Sequence, residues 1–162
     1  MKRALCLLTL WLATIACMAK GSQDFASKFM DQCKADTSVS CITVSPKMLE
    51  QLVKKTENNP DDANIRQAIT KLKSMRVVTA PAEYFEKAEG LLKRNPQRFA
   101  KQDDYDSAQK RGVIYSRKNR HGDTVELILL HESMRTKTLT VVNVTGTIDE
   151  EFLCFLYNIK SF

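Results

Sequence analysis

The side chains that could carry a reaction or hold a ligand are His121, His131, Glu126, Glu132 and the cysteines Cys33, Cys41 and Cys154. With Asp123 and Glu132 beside them, the two histidines have the donor types of a metal site. His121, however, falls on a turn, and His131 ends the strand that follows. Along an extended chain they stand roughly 30 Å apart, at about 3.3 Å per residue. One ion cannot be shared across that distance, so neither a metal nor a cofactor is expected. Acting alone, either histidine would need a positioned partner for acid–base work. The sequence shows none, so solvated histidines and no catalytic residue are expected. There is no glycine-rich phosphate loop, nucleophile elbow or zinc-ligand spacing.

Cys33 closes an expected helix and Cys41 opens the next strand, so a tight reversal can bring them together. In an oxidising compartment they form a candidate disulfide, worth roughly 2–3 kcal/mol if it acts by restricting the unfolded chain. In the reduced state they are two small buried hydrophobes. Their spacing does not resemble a redox Cys-x-x-Cys. Cys154, set among Phe152, Leu153 and Phe155, reads as a packed thiol. Glu126 is the one charge inside an apolar strand, and a cross-strand partner, Arg117 or Lys137, is expected ahead of exposure to water. Asn143-Val144-Thr145 matches a glycosylation sequon but lies in an expected strand.

These residues sit on elements that the hydrophobic spacing defines. From Gly112 to Gly146 the chain reads as three strands joined by short polar turns. They begin at Val113, cover Thr124–His131 and Thr138–Thr145, and so form an antiparallel meander, since a parallel pair needs a longer crossover. In the middle strand Val125, Leu127 and Leu129 point one way and Glu126, Ile128 and Leu130 the other. Upstream, Phe25, Phe29 and Cys33 mark a helix over about 23–34. Val39–Val44 and Met75–Thr79 are expected strands. Ser45-Pro46 starts a helix with Met48, Leu49, Leu52 and Val53 inward. Asn59-Pro60 starts another, with Ile65, Ala68, Ile69 and Leu72 inward. Residues 83–94 form a helix with Tyr84, Ala88, Leu91 and Leu92 inward, and 96–110 is expected to be a loop. A capping box at Thr147-Ile148-Asp149-Glu150 opens a last helix, with Ile148, Phe152, Phe155, Leu156 and Ile159 on one face. The fold class is α+β: a single domain with an antiparallel or mixed sheet built on the C-terminal meander, and helices mainly on one face.

Residues 1–19 differ in kind. Lys2 and Arg3 precede an uncharged run from Ala4 to Met18, too short to span a membrane, which is the pattern of a signal peptide cleaved after Ala19. The alternative is a lipoprotein leader of residues 1–16, since Thr14-Ile15-Ala16-Cys17 is similar to a lipobox; Cys17 would then carry the lipid. Residues 20–162 form the single domain. The chain is 43% hydrophobic and 27% charged, in the range of ordinary globular proteins. Removing Lys2 and Arg3 lowers the net charge from +6 to +4. That mild excess, with the basic stretch Arg117 to His121 on a turn, excludes nucleic acid as an expected partner.

Several strings, taken in order, resemble a known family: Ile42-Thr43-Val44-Ser45-Pro46-Lys47-Met48-Leu49, Leu72-Lys73-Ser74-Met75, Val113-Ile114-Tyr115, Val125-Glu126-Leu127-Ile128 and Gly146-Thr147-Ile148. The family is domain of unknown function 4252, and the resemblance covers nearly all of the mature chain. It implies a small exported protein of a Gram-negative envelope, sometimes lipidated, and transfers no catalytic residue. The expectation is a non-catalytic binding or interaction module in the periplasm or attached to the outer membrane. Its partner would be an envelope protein or ligand, and it would touch the membrane only through a lipid on Cys17. The alternative is an envelope hydrolase using His131 or Glu132.

Overall fold

The computed structural model describes residues 23–55, 63–149 and 152. The elements in chain order are α1 (Phe25–Gln32), β1 (Ser40–Val44), α2 (Pro46–Lys55), α3 (Ala63–Thr70), β2 (Leu72–Pro81), α4 (Tyr84–Lys93), β3 (Ala100–Asp106), β4 (Lys110–Lys118), β5 (Thr124–Ser133) and β6 (Thr138–Ile148). The six strands make one open sheet in the order β1-β2-β6-β5-β4-β3, antiparallel throughout. The fold is therefore α+β, with the C-terminal meander at its centre.

Local chemistry sets the meander. In the β4–β5 turn the Asn119 Oδ1 accepts the N–H groups of His121 (2.8 Å) and Asp123 (3.0 Å), and Gly122 takes φ +91°. Aspartate and asparagine turns of this kind replace backbone pairing at a reversal. The last strand, β6, lies between β5 and β2, so both its edges are paired. Near its end Gly146 has φ +141°, and a Cβ there would stand 2.6 Å from the Cα of Leu72 and the carbonyl oxygen of Lys71. Only glycine lets β2 start so close to β6.

Side chains of successive strand residues alternate between two cores. On one face Phe25, Ala26, Phe29 and Cys33 at α1, with Phe85, Ala88 and Leu92 of α4, pack on Val78, Val113, Tyr115, Ile128, Leu130, Leu139 and Val141. On the other, Leu49 of α2 and Ala68 of α3 join Leu72, Ile114, Leu127, Val144, Ile148 and Phe152. The larger core thus carries two helices on one face, while α2 and α3 cover part of the second.

Four expectations are corrected. The segment expected to be a loop contains β3, whose pattern is polar because it is an edge strand that buries little of either face. Met48 is 46% exposed instead of inward. Leu72 begins β2 rather than closing a helix; α4 buries Phe85, and Tyr84 packs partly buried against the same core as expected. Thr147 and Ile148 continue β6, so the cap moves to Asp149, whose Oδ1 accepts the Phe152 N–H at 3.0 Å. Ser45 does cap α2, its Oγ accepting from the Met48 N–H at 3.4 Å. The leader with Cys17, the Asn59-Pro60 cap, Cys154 and the apolar face beyond Phe152 lie outside the described residues.

Candidate functional site

Glu126 is fully buried on the face of the larger core, where strand alternation aims it at the start of α1. A helix begins with N–H groups that have no partner within the helix. Here each finds one: Phe25 N–H donates to Glu126 Oε1 (2.7 Å), Ala26 N–H to Asn143 Oδ1 (2.9 Å) and Ser27 N–H to the capping Asp24 Oδ1 (2.8 Å). Two of those acceptors come from neighbouring strands of the sheet, so the helix is tied end-on to β5 and β6. The Asn143 Nδ2 group donates to Glu126 Oε1 (3.2 Å) and to the Leu127 carbonyl (3.3 Å), which fixes the amide's orientation.

The remaining Glu126 oxygen accepts from Arg117 Nε on β4 at 2.7 Å, with Arg98 Nη2 at 4.0 Å. Arg76 closes the rim by donating to Ser27 Oγ and Asp24 Oδ1. Burying a carboxylate is costly unless it is hydrogen-bonded and charge-paired, and the helix N-terminus adds a favourable dipole. Of the two partners expected for Glu126, Arg117 is the one it has. Its neighbour Asn143 is buried and bonded on both sides of its amide, which leaves no room for a glycan.

Glu132 lies on the same face, six residues along β5. It accepts from Arg111 Nε, whose Nη1 also reaches Glu86 Oε1 (2.8 Å) and whose guanidinium sits 4.0 Å from the centre of the Phe85 ring. His131 adjoins it in sequence and points to the opposite face. Its Nδ1 is 2.5 Å from the Tyr105 hydroxyl, and the Tyr105 side chain lies over Gly112, where a Cβ would be 2.3 Å from the ring. Tyr105, Gly112 and His131 are therefore one cross-strand stack, with glycine making space for the ring. Burial, and then the Lys110 charge, hold the His131 pKa below its usual value; burial pushes the Tyr105 hydroxyl up to about 12. Both groups are thereby kept neutral. His131 and Glu132 cannot act on one substrate atom, because the sheet separates them.

His121 is exposed on its turn. Among the described residues no three of His, Cys, Asp and Glu are grouped to hold a metal ion, and no helix is long and apolar enough to cross a membrane. Cys33 is buried and Cys41 half-buried; both pack on the larger core, and both thiols are free.

Two of the open depressions formed by the described residues lie near polar or reactive side chains. One, of about 360 Å³, is lined by Arg94, Asn95, Pro96, Gln97 and Arg98 and offers no nucleophile. The other, of about 270 Å³, is lined by Gln32, Cys33, Ala35, Asp36, Thr37 and Tyr84. It brings a thiol, a carboxylate and a phenol together, and the pKa of each is shifted from its usual value. Burial raises the Cys33 pKa, and a thiol that stays protonated is a poor nucleophile. Tyr84 donates to Asp36 Oδ2 at 2.5 Å, and that bond pushes its hydroxyl up to about 12. Hydrogen bonds from Ser38, then Tyr84, hold Asp36 below the usual carboxylate range, a poor proton acceptor near neutrality.

Sequence reasoning found Glu126 and Arg117 but missed Asn143, Arg111 and Tyr105 as members of these clusters. Their partners are far apart in the chain, and only the strand register brings them together. No curated protein matches the chain. Residues 33–153 match the family described as domain of unknown function (DUF4252), and the chain belongs to that family.

Proposed function

We propose that this is an exported cell-envelope protein that works as a non-catalytic binding or interaction module. One observation carries the reading: three of the side chains that could do chemistry, Glu126, Glu132 and His131, are engaged in holding the fold. Glu126 anchors a helix, Glu132 anchors an arginine over Phe85, and His131 backs the Tyr105 ring on the other side of the sheet. Function is then left to the surface, through an envelope protein or ligand, with no role for nucleic acid. The leader pattern of residues 1–19 supports export, to the periplasm or to the outer membrane if Cys17 is lipidated.

The test is hydrolysis of ester, glycoside, phosphate and peptide substrates by the purified protein, with His131→Ala and Glu132→Gln as controls. No turnover is expected. Turnover that is lost in either variant while the fold persists would establish the hydrolase alternative and overturn the binding reading. Mass spectrometry of the mature N-terminus tests the anchoring: Lys20 is expected as the first residue, and a diacylglyceryl group on Cys17 would establish the lipoprotein form.

A further inference from the structure

The sequence treats the two edges of the sheet differently. At one edge β3 carries Lys101, Asp103, Asp104 and Asp106, and its register shifts between Lys101 and Asp103. Charges and irregularities of this kind stop an edge strand from pairing with another chain. At the other edge β1, Ser40-Cys41-Ile42-Thr43-Val44, has no charge and no proline, and pairs with β2 over five consecutive residues without a shift.

The apolar side chains point to the same edge. On the face of the smaller core, the register aligns Ile114, Leu129, Val142, Val77 and Ile42 in one row across five strands. The row ends at Ile42, which is 64% exposed. Met48, in the first turn of α2 just after β1, is also exposed; the third exposed large hydrophobic among the described residues, Met134, is on the β5–β6 turn.

We propose that β1 is a self-association edge, on which a second copy of this chain lays its own β1 antiparallel about a two-fold axis at Ile42. The strand suits itself as a partner. In that register Ile42 faces Ile42 of the other copy, Cys41 faces Thr43 and Ser40 faces Val44, so no charge and no proline meets the interface. The apolar row continues unbroken from one sheet into the next. A two-fold contact of this kind uses one patch twice and closes at two copies, because the β3 edges that would extend it are charged. This inference does not depend on whether the protein is exported.

The test is sedimentation velocity of the purified mature protein over a concentration series, from low micromolar to several hundred micromolar. The native chain is expected to pass from one-chain to two-chain mass. Ile42→Lys and Ile42→Glu should each stay at one-chain mass, since the axis sets like charges face to face. An equimolar mixture of these two variants should recover the two-chain mass, because opposite charges then meet across the axis. Ile42 is exposed, so both variants should keep the native circular dichroism spectrum. Met134→Lys, on the distant turn, should associate like the native chain. A native chain that remains monomeric throughout, Ile42 variants that still associate alone, a mixture that does not recover, or dissociation by Met134→Lys would each overturn the proposal.

Discussion

Replacing Glu126 by glutamine changes little in shape and removes one charge, so its effect reads the buried network directly. In the native protein one carboxylate oxygen accepts from Phe25 N–H and Asn143 Nδ2, and the other from Arg117 Nε. Glutamine has one carbonyl oxygen and one NH2 group. If the oxygen serves the helix, the NH2 faces the Arg117 guanidinium; if it serves Arg117, the NH2 faces two donors. A charge-assisted hydrogen bond contributes roughly 1.5–3 kcal/mol, and a buried donor left without an acceptor costs about 1–3 kcal/mol. Breaking a buried ion pair costs about 3–5 kcal/mol, which must be discounted here because the Arg117 side chain is 23% exposed and water can reach it. The expected loss for Glu126→Gln is therefore about 3 kcal/mol. At a urea dependence of roughly 2 kcal/mol per molar, the unfolding midpoint should fall by about 1.5 M. In an Arg117→Met background the same substitution should cost about 1–2 kcal/mol less, the difference being the coupling between the two residues. A loss below about 0.5 kcal/mol in the native background, the level of an ordinary surface substitution, would refute the assignment of Glu126 as the anchor of α1.

Other substitutions test separate features. Gly146→Ala should destabilise by about 2 kcal/mol or more, because the site has φ +141° and the new Cβ would stand 2.6 Å from backbone atoms; Gly90→Ala, with nothing within 4 Å in the helix α4, should stabilise by about 0.5–1 kcal/mol. The pH dependence follows from His131. Its folded pKa lies below the unfolded value of about 6.5, so the unfolded chain binds more protons and stability is lost as pH falls through 6.5. Urea midpoints at about pH 7.5 and 5.5 should differ in that direction, and less so in His131→Gln, once the other groups titrating in that range are common to both proteins. In a thiol-reactivity assay on the reduced protein, Cys33 should react more slowly than half-buried Cys41, since it is buried and its pKa is raised; equal rates would contradict this.

The strands of the meander were legible because they are buried on both sides: the run from Val125 to Leu130 has the alternation and β-branched neighbours that a packed sheet requires. The α1 spacing of Phe25 and Phe29 was legible for the same reason. By contrast β3 could not be read from its pattern. Ala100–Asp106 is held by backbone pairing to β4, and an edge strand of Lys, Gln and Asp carries the composition of a loop. Met48 was misplaced because helical spacing alone does not say how wide the buried stripe of α2 is. The Glu126 cluster was half legible. A charge inside an apolar strand demands a partner, and Arg117 is its cross-strand neighbour. That its other partners are the amides at the start of a helix about a hundred residues earlier depends on how α1 crosses the sheet, and no local pattern encodes that.

Native-state hydrogen exchange at the Phe25 and Ala26 amides tests most directly whether the buried polar residues serve to hold the fold. First-turn amides of a helix ordinarily exchange readily, since they lack partners within the helix. Bonded to Glu126 and Asn143 in the interior, these two should exchange as slowly as the core amides of β5 and β6, near the free energy of global unfolding, and in Glu126→Gln they should open first. Rapid exchange of Phe25 and Ala26 in the native protein would contradict the account.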